Sequence, residues 1–169
     1  MKLFSEKLPD LQALYVKQIR KLLSAEEIIL PGLQRMAEAA TDAQLKQAFR
    51  SHLQESELHA TRLRGILHRV AGEADPLKCT VAGDLLAEAE DLIEDSEHEA
   101  VRDAALIAAA QRVEHYEIAA YGAVRHFARV LGFEEDADAL HQTIQEEGHA
   151  DHLLTEIAER INPSARKAA

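Results

Sequence analysis

A single cysteine, no tryptophan, four prolines and seven glycines in 169 residues set the first limits. One thiol, Cys79, excludes an intrachain disulfide framework and a Cys-rich zinc site. It reads as an ordinary reduced thiol and places the chain, as an expectation, in the cytoplasm. So little glycine, and aromatics at only 4%, argue against a β-sandwich, while 47% hydrophobic residues rich in Ala and Leu favour helices. No stretch approaches about 18 consecutive apolar residues, so no membrane span is expected. Met1–Glu6 lacks the apolar run of a signal peptide. Positive charge is scarce. With 19 Lys and Arg against 30 Asp and Glu, the net charge is −11, a surface that repels nucleic acid and anionic membranes. There is no Gly-rich phosphate loop and no Gly-x-Ser-x-Gly turn. A Ser-His-Asp triad cannot be argued.

What is present is helical periodicity. The length suits one domain, residues 1–169, with a bundle core over about 9–160 and a basic tail at 162–169 expected to be mobile from 164. Residues 1–8 read as a short arm or a first turn. A long helix is expected from about Pro9, at a first-turn position, to Ala40, with a kink at Pro31, which cannot bond the carbonyl of Glu27. Its stripe is Tyr15, Ile19, Leu22, Ile29, Leu33 and Met36. Thr41-Asp42-Ala43-Gln44 has the form of a capping box and opens a second helix to about Val70. Gly72–Pro76 breaks it. A short, acidic helix at about 83–94 occupies a crossover over residues 73–98. Ser96–Glu99 is a second capping-box pattern, opening a helix to Leu131 that stops at Gly132. The last helix runs from about Glu134 to Arg160, ended by Asn162-Pro163.

Acids interrupt the apolar stripes of all four long helices. At about 100° per residue, Glu117 falls in the middle of the side carrying Ala110, Val113, Ala120, Val124, Ala128 and Leu131, and Glu114 lies one turn earlier on its flank. Glu26 sits among Leu22, Leu23, Ile29 and Leu30. On the second helix His52, Ser56 and His59 share the apolar side and Glu55 borders it. On the last helix Glu147 and Asp151 face inward, while Glu146 and His149 face away. The tempting Glu146-x-x-His149 pair is therefore set aside, although another rotation of the helix would restore it. Glu26 to Glu55 spans about the same length of chain as Glu117 to Glu147, so in up-down helix pairs the acids of each half reach similar heights. Lone buried carboxylates are costly and repel one another unless protons or cations neutralise them. Carboxylates with one or two imidazoles suit iron or manganese with open positions; zinc fits less well, because this many carboxylates implies two metals. Only Arg62 and Arg125 can approach as counter-ions, too few for a salt-bridge network. Tyr116 and Tyr121 read as packing residues in preference to redox-active ones. His68, His115 and His126 lie on outer faces.

Ser24-Ala25-Glu26, Phe49–Ser56, Asp103–Ile107 and above all Val113-Glu114-His115-Tyr116-Glu117-Ile118-Ala119 resemble the ferritin-like YciE/YciF family of bacterial stress-response proteins, over about residues 9–160. The resemblance implies an all-α, ferritin-like four-helix bundle with a short extra helix in the crossover between its second and third long helices, usually a homodimer, with a di-iron centre. It supports Glu26, His52, Glu55, Glu114, Glu117, Glu147 and Asp151 as metal ligands; helical phase adds His59. Glu114-x-x-Glu117 is also similar to the paired glutamates of rubrerythrins, where such a pair shifts with iron oxidation state. This makes it the expected bridging and adjustable part of the site. Rubrerythrins place a His after the last glutamate, where Asp151 stands here, and this chain has no Cys-rich electron-transfer domain, so peroxidase activity requires an external electron donor. The expected cofactor is two iron ions, or manganese, reacting with O2 or peroxide; catalytic residues are not assigned. The alternatives are iron binding without turnover of an organic substrate and a non-catalytic structural homodimer. A 24-subunit cage is disfavoured, since no fifth-helix pattern follows.

Overall fold

The structure, a computed structural model, describes residues 7–166. Most of the arm expected at 1–8, and residues 167–169 of the tail, lie outside the described residues. Five helices follow one another: α1 (Leu11–Ala39), α2 (Ala43–Ala71), α3 (Thr80–Asp95), α4 (Glu99–Val130) and α5 (Glu134–Ala165). The four long ones form a bundle and α3 lies in the crossover, as the sequence predicts. None of the helices is long and apolar enough to cross a membrane among the described residues.

Helix ends depart from the local signatures. Asp10, not Pro9, opens α1, its Oδ1 accepting from the Ala13 amide at 2.8 Å. The cap of α2 is Asp42 instead of Thr41; its Oδ1 accepts from the amides of Gln44 and Leu45, both at 3.0 Å. Thr41 serves a tertiary bond instead. The buried carboxylate of Asp103 on α4 accepts from the Thr41 amide (2.8 Å), the Thr41 hydroxyl (2.7 Å) and the Asp42 amide (2.8 Å), tying the α1–α2 turn to the start of α4. His98 caps α4 without a side-chain bond, while the Ser96 hydroxyl bonds back to the Leu92 carbonyl at 2.6 Å. Gly72 and Gly132 take φ of +74° and +78°, the left-handed geometry that glycine reaches without a Cβ clash, and end α2 and α4. Pro163 does not end α5, which continues to Ala165. Proline's fixed φ is itself helical, and in the last turn it removes only one amide donor.

Replacing Asp103 with alanine would leave three donors short of their acceptor. The expected cost is about 3 kcal/mol, or about 6–12 °C in Tm for a chain of this size, measured by thermal unfolding. A loss below about 1 kcal/mol would mean the turn is held by other contacts.

The core is layered along the bundle axis. One apolar cluster gathers Tyr15, Ile19, Leu22 and Leu23 of α1, Leu63, Ile66 and Leu67 of α2, Tyr121 and Val124 of α4, and Leu140 of α5. A second gathers Ile29, Leu33 and Met36 of α1, Leu45 and Phe49 of α2, Leu106, Ile107 and Val113 of α4, Leu154 and Ile157 of α5, and Ala82 and Ala89 of α3. The order in which each helix passes these clusters gives its direction. α1 and α5 run one way, α2 and α4 the other. Helix α2 therefore ends at the first cluster and α4 starts at the second, so residues 72–98 must travel the length of the bundle. That single long crossover is the connectivity of ferritin-like bundles. Between the clusters lies a polar layer.

Candidate metal centre

Each long helix delivers its polar residues to that layer for the same reason: an apolar stripe on either side anchors it, and helical period carries the acid inward with the stripe. Glu26, Ser56, His59, Glu117 and Glu147 are fully buried; Glu114 and His52 are 1% and 5% exposed. One donor atom from each of His52, Glu114, Glu117 and Glu147 lies within 4.8 Å of the others, and Glu26, His59 and Glu147 form a second such group. Glu147 belongs to both. Its Oε1 is 2.9 Å from His59 Nδ1 and its Oε2 is 3.4 Å from His52 Nε2. The shared position expected of the Glu114/Glu117 pair thus falls to Glu147, whose carboxylate reaches both imidazoles of α2.

Each imidazole turns one nitrogen inward and the other toward a carboxylate outside. His52 Nε2 is 3.1 Å from Glu114 Oε2, and its Nδ1 is 3.5 Å from Glu55. His59 Nδ1 is 3.5 Å from Glu26, and its Nε2 is 2.9 Å from Glu146 Oε2. Glu146 is fixed in turn by Arg62, whose Nη2 donates to its Oε1 at 3.0 Å, and by Gln142 at 2.9 Å. An outer carboxylate of this kind sets the tautomer and orientation of a ligand histidine. Tyr121, also fully buried, donates from its hydroxyl to Glu26 Oε1 and sets its ring edge-on to His59, centroids 6.3 Å apart.

Electrostatics mark the layer as unfinished by protein groups alone. Burial pushes Glu117 well above the usual carboxylate range, and the charges of Glu26, Glu147 and Glu114 push it further. Burial also raises Glu26, against the pull of His59, and lifts Glu147 to about 7. For the imidazoles burial acts downward, but the carboxylates overrule it. Glu114 first, then Glu55 and Glu147, hold His52 well above the ordinary histidine value, and Glu147 and Glu26 hold His59 at about 10. Even so, both oxygens of Glu117 and of Glu147, Oε2 of Glu26 and of Glu114, Nε2 of His52 and Nδ1 of His59 make no aligned hydrogen bond, although Nδ1 of His59 lies 2.9 Å from Glu147 Oε1 and Nε2 of His52 3.1 Å from Glu114 Oε2. Natural proteins leave few such atoms, since each costs about 1–3 kcal/mol. Four carboxylates and two divalent cations balance in charge, and these eight are most of the twelve buried side-chain atoms without a partner among the described residues. The donor set therefore fits metal ions.

The expected residues divide. Glu26, His52, His59, Glu114, Glu117 and Glu147 come together. Asp151 and Glu55 join neither group. Asp151 sits at the bundle's flank, accepting from Gln111 Nε2 at 3.0 Å with His115 Nε2 at 3.4 Å. Its helical phase is inward, but one turn beyond Glu147 the facing surface is the polar edge of α4, not the layer. Glu55, with a side chain 38% exposed, lies behind His52. His149, which the sequence places outside, is exposed. Glu146 does face away from the centre, yet it reaches it through His59, a link the sequence reading missed; the signal available was Arg62 three residues after His59.

The inventory is that of carboxylate-bridged bundles, with two places exchanged. Such sites take one Glu from each of two helices and a Glu-x-x-His motif from each of the other two. Here Ser56 stands where the Glu three residues before His59 would be, and Ala150 where the His three residues after Glu147 would be. Glu114 and His52 restore four carboxylates and two imidazoles.

Fold and site define an all-helical bundle with a buried carboxylate–imidazole layer whose donor groups could hold a metal ion. The chain belongs to the family described as a domain of unknown function (DUF892), whose profile matches residues 10–166. It is 36% identical over 159 residues to Protein YciF of Escherichia coli (strain K12), covering 94% of this chain and 95% of that protein. The crystal structure of the E. coli stress protein YciF superposes with a TM-score of 0.88 at 34% identity, covering 92% of this chain and 99% of that one. YcfI of Rhodopseudomonas palustris, described as a candidate structural protein, superposes with a TM-score of 0.87 at 31% identity, over 90% and 98%. A protein of Xanthomonas campestris pv. campestris shares the fold, with a TM-score of 0.75 at 20% identity.

Proposed function

We propose that this chain is a di-iron protein, with manganese as the other candidate metal, and that its centre reacts with O2 or peroxide. One observation carries the reading: two groups of buried, hydrogen-bond-orphaned donors share a single carboxylate, Glu147. Mixed carboxylate and imidazole donors suit Fe and Mn. The first metal would be held by Glu26, His59 and Glu147, the second by His52, Glu114, Glu117 and Glu147. Bound there, iron supplies redox chemistry toward oxygen species. The protein's part is to fix His59 through Glu146, to keep bulk water out between two apolar clusters, and to hold a proton on Tyr121, whose phenol burial and Glu26 keep well above its ordinary pKa. The lone thiol Cys79 cannot form an intrachain disulfide, so reducing equivalents come from an external electron donor. A role in the stress response belongs to the same proposal by likeness to the E. coli stress protein YciF, and a homodimer by the sequence resemblance alone.

The test is elemental analysis of protein supplied with Fe(II) without oxygen. The expected stoichiometry is two per chain, with an absorbance change on adding peroxide. Iron-supplied protein free of metal would favour the other reading, a structural protein whose protonated His52 and His59 balance the acids unaided. Support for that reading comes from the raised imidazoles and the description of the R. palustris relative.

A further inference from the structure

A pocket of about 70 Å³ among α2, α4 and α5 is lined by Phe49, His52, Glu55, Glu114, His149 and Ala150 among others. We propose that it is the site where a small exogenous ligand, of the size of peroxide or azide, reaches the His52 side of the centre, and that Ala150 is what keeps it open. This rests on the metal reading above.

Three observations converge. Ala150 occupies the position three residues after Glu147, where a Glu-x-x-His motif would place an imidazole. An imidazole there would project into the space that Ala150 now lines. Second, the two donor groups are closed to different degrees. The Glu26–His59 group is sealed, with Tyr121 on Glu26 and the Arg62–Glu146 pair against His59. The other group has two members, His52 and Glu114, in the wall of the pocket, and both carry buried atoms without a hydrogen-bond partner. Third, size selects the ligand. A cavity needs about 10–15 Å³ on this measure to hold one water, so the space admits only a few water-sized groups. An organic substrate of ordinary size needs about 300 Å³ or more. The ligand class is therefore a compact oxygen species or small anion, and the two metals are unequal: one is closed, the other open.

The test uses the full chain loaded with Co(II), whose visible bands report coordination, and sodium azide as the probe. In the wild type azide should change those bands in a saturable titration. Ala150→Leu fills the pocket and replaces no donor; it should keep both cobalt ions and weaken azide by about tenfold or more. Ala150→Gly enlarges the pocket and should bind azide at least as tightly as the wild type, which keeps the proposal testable if the leucine variant misfolds. Unchanged azide affinity in Ala150→Leu at full cobalt content overturns the pocket assignment, as does a glycine variant that loses azide. A wild type that takes up no cobalt defeats the metal reading instead, a result that elemental analysis separates from the first two.

Discussion

Glu147→Ala should empty both metal positions at once, whereas Glu26→Ala should weaken one. The difference follows from placement. Glu26 belongs to one donor group, while Glu147 presents Oε1 to the His59 side and Oε2 to the His52 side, fully buried and with neither oxygen hydrogen-bonded. Losing a carboxylate that only orients a ligand histidine costs about 10–100-fold in metal affinity. A shared ligand lost from both ions should cost more than 100-fold at each. Calorimetric titration with Mn(II), backed by elemental analysis, reads this directly. Asp151→Ala is the control: it lies outside both groups and should leave affinity near wild type. If Glu147→Ala still binds two ions tightly, the two groups do not form one centre.

The second large effect concerns stability without metal. Glu117→Met should make the metal-free chain more stable by about 1–4 kcal/mol, the range seen when buried ionisable clusters give way to well-packed apolar side chains of similar volume. Glu117 is fully buried beside Glu26, Glu147 and Glu114, and neither carboxylate oxygen has a partner. The same variant should lose most of the rise in Tm that metal gives the wild type. A destabilised metal-free variant would show that Glu117 makes a favourable contact in the absence of metal. The pH dependence has a definite sign. His59 is raised from 6.5 to about 10, so it takes up a proton on folding; its stabilisation is complete below about 6.5 and lost as pH rises to about 10. Glu147, raised from 4.5 to about 7, costs stability as it ionises over that interval. At the acid end, Asp42 and Glu146 are held at about 2, each by an arginine outweighing burial, and their contribution disappears as pH falls toward 2. The metal-free protein should thus be most stable near pH 5 and weaken toward pH 9. Metal binding displaces protons, so its stabilising effect should grow over the same range. Metal-free Tm values that rise between pH 6 and 9 would contradict these assignments.

Periodicity alone made the bundle readable. Stripes such as Tyr15–Met36 and Leu45–Leu67 are long and regular, and a helix in water must bury such a stripe. The same arithmetic exposed Glu26, His52, His59, Glu117 and Glu147, since each lies in phase with its apolar neighbours. Local end signals were less reliable. Thr41 and Ser96 fit a capping box by spacing, but a hydroxyl takes the best partner in three dimensions, and for Thr41 that is Asp103, 62 residues away. Asp151 failed for a related reason. Helical phase fixes direction around an axis, not height along it, and one turn beyond Glu147 the surroundings have changed from the polar layer to the α4 flank.

By itself, then, the sequence determined an all-helical chain with a crossover, a layer of acids and imidazoles between apolar stripes, and a donor set of the kind that takes metal. These follow from residue type and period, which are local properties. Tertiary structure decided which acid is shared, which carboxylates stand behind His52 and His59, and which side of the centre is open. Those depend on how α2, α4 and α5 are rotated and staggered against one another. That packing is set by the fit of side chains from distant parts of the chain, to which no single helix's pattern refers.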